Sequence, residues 1–302
     1  SFRARLYRGM LLRGLRRTEE AGAEATRLLQ IDPSSAAAWS LLGDYYQDSL
    51  RFDVARESYL TAALLDQRLF WPRQGLAATY QKQLNYGAAA KTYDATEHDF
   101  PEEQLRVRIL EASLLIATQN YEEALRLYEA ISEKEIFSPP LLRRLMLAGR
   151  AYALEKLGSA EKAEYYWTQL VEEFPPDFDG AVRDREVVSR GYEGLVRYHD
   201  GKGDRRRATD LLEKACRQGG LDYTLPTALA GRRLAGGDGK GALSVLLEGL
   251  RKTPSEPDLV TVSEISLRAV RGLGTGRAAS AARRDAAALL DDLGARIARD
   301  PV

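Results

Sequence analysis

Two histidines, His98 and His199, and one cysteine, Cys216, are the only imidazole and thiol groups in this chain of 302 residues. A cysteine-based zinc site needs several thiolates, and triad chemistry needs a histidine between a nucleophile and an orienting acid. One cysteine also excludes an intrachain disulfide. His199 falls in a packing column shared with Tyr46 and Tyr80, and Cys216 lies late in an amphipathic stretch as an inert buried thiol. The acidic pairs Glu102-Glu103, Glu122-Glu123 and Glu172-Glu173 stand near helix ends, where carboxylates complement the helix dipole or face water. The run GGDGKG at 236–241 has Lys240, but no strand precedes it and no Ser or Thr follows the lysine, so it reads as a turn rather than a phosphate loop. GLGTG at 272–276 reads the same way. HExxH, GxSxG and DxDxDG patterns are missing. Arg205, Arg206 and Arg207, and near the start Arg13, Arg16 and Arg17, read first as solvated helix faces, with an anionic or lipid-headgroup contact as the sharper alternative. The expectation is a protein that is not an enzyme and has neither metal nor cofactor.

Charge narrows the partners. Lys+Arg and Asp+Glu are both 44, so the net charge is zero, and the basic surplus that phosphate binding requires is missing. Nucleic acid is therefore not expected. No apolar run in the sequence approaches the length of a membrane span, about 20 residues. With 44% hydrophobic and 29% charged residues, the composition is that of a globular chain.

The elements that would position any working residue emerge from a repeat. Ala21, Ala55, Ala89, Ala124, Ala163, Ala208 and Ala242 follow one another in steps of 34, 34, 35, 39, 45 and 34. Gly9, Gly43, Ala77, Ala112, Ala151, Val196 and Ala230 keep the same steps, and so do Ala25, Tyr59, Tyr93, Tyr128, Trp167, Leu212 and Leu246. Each unit reads as two helices. In the second, Trp39, Leu42, Gly43 and Tyr46 recur at helical spacing, a polar turn follows, and Val54, Ala55, Tyr59, Ala62 and Ala63 mark another stripe. Small residues let helices approach closely, so Gly43 is expected to face Ala55 across the pair. The two long steps leave room for loop insertions, near 132–140 and 174–188, expected to project from the array.

These columns resemble the tetratricopeptide repeat (TPR), best along Trp39–Leu42–Gly43–Tyr46–Ala55–Tyr59–Ala62 and Leu76–Ala77–Tyr80–Ala89–Tyr93–Pro101. The resemblance implies an all-α fold: a right-handed superhelical solenoid of antiparallel helix pairs with about 7–8 repeats. Residues 1–256 would hold seven pairs, starting near 2, 36, 70, 105, 144, 189 and 223, and 257–302 a degenerate eighth repeat or capping helices. The first helix of that cap would carry Leu259, Val262, Ile265 and Leu267. Arg8, Glu111 and Arg150 depart from a column of leucines, and Arg233 from a column of tyrosines.

In proteins of this family the first helix of each pair lines a concave groove that takes extended peptides or partner helices. Register then assigns Asp44, Gln47 and Asp48 to the groove from the second unit, and Trp71, Gln74, Gln81 and Lys82 from the third. Arg106, Ile109 and Ser113 follow from the fourth, Tyr152 from the fifth, and Arg190 and Arg197 from the sixth. The groove would be acidic early, apolar in the middle and basic later. A carboxylate clamp is not expected, because Asp44 stands where a cation is needed. Trp71 is the sharpest anchor, since tryptophan, tyrosine and arginine dominate interfaces. The expected function is a protein-interaction scaffold for a protein or peptide partner, in the assembly of a bacterial envelope complex such as a pilus, secretion or polysaccharide export system. Alternatives are a peptide-responsive regulator, or the recognition arm of a larger enzyme or outer-membrane protein; self-association through the array ends also stays open. An arginine- and alanine-rich composition resembles a high-GC bacterial source. Ser1 in place of Met and the single cysteine fit a trimmed or processed envelope segment, so the expected place leans to the periplasm or envelope over the cytoplasm.

Overall fold

The structure, a computed structural model, describes residues 1–131, 140–173, 182–219, 221–252 and 259–271, with positions 280, 284, 287, 288 and 291. Among the described residues it is helical throughout, with no strand. Two compact units divide the chain, Ser1–Ser159 and Ala160–Val302. The first contains α1 (Phe2–Gly14), α2 (Thr18–Ile31), α3 (Ala36–Asp48), α4 (Phe52–Leu65), α5 (Phe70–Lys82), α6 (Tyr86–Asp99), α7 (Gln104–Ala117), α8 (Tyr121–Ala130) and α9 (Pro140–Lys156), with a 3-10 turn at Pro101–Glu103. The second contains α10 (Ala160–Glu172), α11 (Val182–Gly201), α12 (Arg205–Gln218), α13 (Thr224–Ala235), α14 (Gly239–Lys252) and α15 (Leu259–Arg271). Within each unit consecutive helices pack side by side.

One turn geometry ends seven of the described helices. Arg16, Leu50, Leu84, Gln119, Gly158, Gly203 and Gly237 all have positive φ, between 57 and 83°. The next residue's N–H donates five positions back, from Arg17 to the Leu12 carbonyl (2.9 Å), Arg51 to Tyr46 (2.8 Å), and so on to Asp238 and Arg233 (2.9 Å). These are Schellman caps, which satisfy the orphan carbonyls at a helix end and reverse the chain within a few residues. The GGDGKG run is one of them: Gly237 takes the left-handed position, and the Asp238 carboxylate accepts the Gly241 N–H at 2.8 Å to start α14.

The small columns are buried. Ala55 and Ala89 are wholly inaccessible and Ala163 is 2% exposed. What stands against Gly43, however, is Tyr59 rather than Ala55: a Cβ on Gly43 would lie 2.7 Å from the Tyr59 ring. A Cβ on Gly75, in the next pair, would strike the same ring. Tyr59 on α4 is thus wedged between α3 and α5, 1% exposed. Burying such a side chain is worth about 2–3 kcal/mol on area alone. Tyr128 meets Gly149 on α9 in the same way, and in the second unit Trp167 meets Gly194 on α11.

The departures from the columns have partners. Arg8 donates to Glu24 at 3.1 Å, a carboxylate 2% exposed that Arg5 (3.3 Å) and Arg27 (2.9 Å) also reach. Arg150, buried, donates to the carbonyls of Tyr128 and Ile131 and so caps the C-terminal end of α8. Arg233 pairs with Glu213 at 3.3 Å. Two expectations change. The stretch 174–188 is not wholly a loop: α11 begins at Val182 and is longer than its counterparts, because the inserted residues extend the first helix of that pair. In α15 the buried stripe is Val262, Ser266 and Ala269, and Leu267 is 55% exposed. Leu267 stands one position off that stripe, which on a helical period turns it outward. Residues 132–139, 174–181, the GLGTG run and the rest of the expected cap lie outside the described residues.

Candidate binding surface

The first helices α1, α3 and α5 stand in a row, α1 against α3 and α3 against α5. A polar network runs across them. Arg13 on α1 pairs with Asp44 (2.9 Å) and Asp48 (3.0 Å) on α3. Asp44 also accepts the Tyr59 hydroxyl at 2.7 Å. Burial is the main influence on the Asp44 carboxyl and lifts it above the ordinary carboxylate value, with Arg13 opposing. Desolvation pulls the Arg13 guanidinium down, and attraction to Asp44 and Asp48 more than offsets it, leaving it raised. The Tyr59 hydroxyl is pushed far up by burial and by Asp44 beside it, so it stays a donor. Gln47 donates to the Gly75 carbonyl (3.2 Å) and Thr79 hydroxyl (2.8 Å), tying α3 to α5.

The next junction is different. α3 and α5 approach closely, as do α7 and α9, whereas α5 and α7 make almost none of that close backbone approach. Register gives the reason. The position that is Gly75 on α5 and Gly149 on α9 is Leu110 on α7, and Leu110 packs against the cluster containing Tyr93. A leucine where the preceding tyrosine needs a glycine holds α7 away from α5. At the N-terminal mouth of this junction Trp71 is 48% exposed. Its ring meets Phe70 edge-on at 5.4 Å. The Arg106 guanidinium lies 4.9 Å from the Trp71 centroid, a cation–π contact, and also forms a 2.9 Å ion pair with Glu103. Gln74, one turn along α5, has its Oε1 buried with no hydrogen-bond partner.

The residues assigned by register therefore divide. Asp48, Trp71, Lys82, Arg190 and Arg197 are exposed; Asp44, Gln74, Gln81, Arg106, Ser113 and Tyr152 are partly so. Gln47 (4%) and Ile109 (fully buried) are not on an open surface. Gln47 is spent on α5, and Ile109 shares a register with Ser40 and Ala148, also buried. Asp44 and Asp48 come together through Arg13, and Trp71 with Arg106. Ser113 lies 3.2 Å from the Tyr128 hydroxyl, and Tyr152 faces Tyr121 at 6.3 Å with the Lys156 ammonium 5.1 Å from its ring. Arg190 and Arg197 belong to the second unit, where Glu193 accepts the Thr224 hydroxyl at 2.5 Å. The groove register does not single out Arg13, although it stands one repeat step before Asp48. Leu110 matters through its equivalence to Gly75, and not as a clamp position.

The chemistry of the remaining candidates is quiet. His199 is half-buried with its ring 5.2 Å from Tyr198. Cys216 borders a cavity of about 30 Å³ with Leu225 and Val245, room for a single water and not a substrate. Burial pushes its thiol up to about 12, away from thiolate reactivity. Among the described residues no group of three or more His, Cys, Asp or Glu could hold a metal ion, and no helix is long and apolar enough to cross a membrane.

Solved structures repeat this arrangement of paired helices. A tetratricopeptide repeat protein from Parabacteroides merdae aligns over 89% of this chain and 98% of its own, with 16% identity and a TM-score of 0.57. The fold is that of the TPR proteins. The apo form of the quorum sensor NprR from B. thuringiensis aligns over 96% of this chain and 86% of its own, at 14% identity and TM-score 0.61. NprR in complex with its cognate peptide NprX aligns over 95% and 86%, at 14% identity and TM-score 0.55. No family model and no curated protein matches the sequence. Identities this low speak for the TPR fold and leave the working surface to this chain's own residues.

Proposed function

We propose that the chain is a non-catalytic interaction scaffold, and that a partner's peptide or helix seats at the junction of α5 and α7 with Trp71 and Arg106 as anchors. One observation carries this reading: an exposed tryptophan stacked with an arginine stands at the junction where, within the first unit, successive first helices stand furthest off. Gln74 offers a buried amide oxygen that a peptide N–H would satisfy. Asp48 and Lys82 would set the orientation of a segment running from α5 toward α3. Display of this kind needs no reacting group; affinity comes from a few desolvated anchors and hydrogen bonds to an extended segment. The setting we infer, assembly of a bacterial envelope complex, rests on the arginine- and alanine-rich composition. A second reading, a regulator answering a short peptide, is favoured by the likeness to NprR, which is described in complex with NprX.

Affinity capture from the source organism, with the whole chain as bait and a Trp71→Ala, Arg106→Glu double variant beside it, tests the site. The partner should be lost from the variant while its thermal unfolding stays within about 1 kcal/mol of the parent, as befits surface substitutions. A partner held equally by both would move the site elsewhere.

A further inference from the structure

The outer face of α1 is apolar and open. Tyr7 is 64% exposed, Met10 50%, Leu11 68% and Leu15 66%, while Gly9 and Leu12 on the inner face are buried against the array. Gly14 has open space where its Cβ would be. Among the described residues a stripe of this kind recurs on no other first helix, because there it is covered. Tyr7 and Leu11 are one repeat step before Leu41 and Tyr45 on α3, and Leu41 is 2% exposed. The helix that covers those two is α2, the second helix of the preceding pair. It brings small residues to meet large ones: Ala25 joins Leu41 in one core cluster, and a Cβ on Gly22 would enter the Tyr45 ring. Glu19 of α2 then accepts the Tyr45 hydroxyl at 3.1 Å.

Charge narrows the occupant further. Residues 2–17 contain six arginines and no acid, with Arg3 exposed beside the stripe. A second α1 laid on this face would bring arginine to arginine. At internal junctions the chain places the acid on the covering helix and its donor on the helix covered: Glu97 of α6 with Arg108 of α7 (3.0 Å), Glu161 of α10 with Lys202 beyond α11 (2.8 Å), and Glu213 of α12 with Arg233 of α13 (3.3 Å).

We propose that the Tyr7–Met10–Leu11–Leu15 face of α1 docks an acidic amphipathic helix of a partner protein, with Gly or Ala three positions apart against Tyr7 and Leu11, in the place a preceding second helix would fill. This end face is separate from the junction of α5 and α7. The shape follows from repeat register, and the sign of the charge from the arginines around the stripe.

The probe is a synthetic peptide with the chemistry of α2, TEEAGAEATRLLQI, held helical by a staple between its sixth and tenth positions and labelled for fluorescence anisotropy. Titrated with the whole protein, it should bind saturably. Leu11→Asp should weaken binding about tenfold or more, as loss of an interface anchor does. Leu64→Asp, at a residue 77% exposed on α4, and Trp71→Ala should leave it unchanged. Putting leucine at the peptide's glycine should weaken it in the same way. Absence of saturable binding, or equal binding by Leu11→Asp, overturns the proposal. So does a concentration-dependent dimer in sedimentation that Leu11→Asp abolishes, which would give the face to a second copy.

Discussion

Tyr59 and Tyr93 stand one repeat apart in the same column, and both are almost wholly buried, at 1% and 2% exposure. Their surroundings differ by one side chain. Tyr59 meets Gly75 on the following first helix, and α3 and α5 close up around it. Tyr93 meets the register of Leu110, and α5 and α7 stay apart. The repeat fixes what must be buried; the bulk at a single position of the next first helix fixes how near that helix can come. A binding slot can therefore open in an otherwise regular array without a loop, an insertion or a break in the columns.

The strongest way to break the comparison is at its closed side. Gly75→Leu drives a side chain into the Tyr59 ring, and Tyr59→Ala empties the wedge; each should cost about 3–5 kcal/mol in chemical denaturation. Trp71 lies on the open side, and its truncation should barely register on the same scale. If Gly75→Leu unfolds no more readily than the parent, glycine is not what lets α5 approach.

A second contrast runs along the turns. The first four left-handed positions are Arg16, Leu50, Leu84 and Gln119; Gly158, Gly203 and Gly237 follow. A side chain at positive φ costs about 1–2 kcal/mol, partly offset by the entropy glycine loses on folding. Leu50→Gly and Leu84→Gly should each raise stability by about 0.5–1 kcal/mol, and Gly158→Ala should lower it by about 1 kcal/mol. A loss of stability in both leucine variants would show that those side chains pack despite exposures of 72% and 71%.

The smallest effect is one of pH. The Asp44 carboxyl is raised by burial, so the folded state holds its proton more tightly than the unfolded chain does. Its contribution to stability is fully present below the ordinary carboxylate value and is lost as pH rises through the folded one. Asp44→Asn should remove that part of the slope in an acid-range denaturation series. An unchanged slope would assign it to other carboxyls, Glu111 among them, raised by burial and by Glu97 and Asp94.

The architecture was legible because three columns keep one register, and columns survive divergence better than local propensity does. Alanine is the wrong partner for Gly43. A glycine announces that something comes close, without saying what, and here it is an aromatic ring from the adjacent helix. The surface was less legible for a geometric reason. Register says which way a position points, but Gln47 and Ile109 point into the seam between first helices, and only the distance between those helices decides whether a seam is open. Arg13 is reached by stepping back one repeat from Asp48. The meaning of Leu110 needs its pairing with Tyr93 across two helices, which no single column displays.

The account rests on α7 standing off from α5 because of Leu110, and interhelix distance tests that directly. Spin labels at positions 50 and 84, and separately at 84 and 119, occupy the same exposed turn one repeat apart. With Cys216 replaced by Ser, pulsed electron resonance should give a longer distance for 84–119 than for 50–84, and Leu110→Gly should shorten only the former. Equal distances in the parent, or a distance that Leu110→Gly leaves unmoved, would contradict the account.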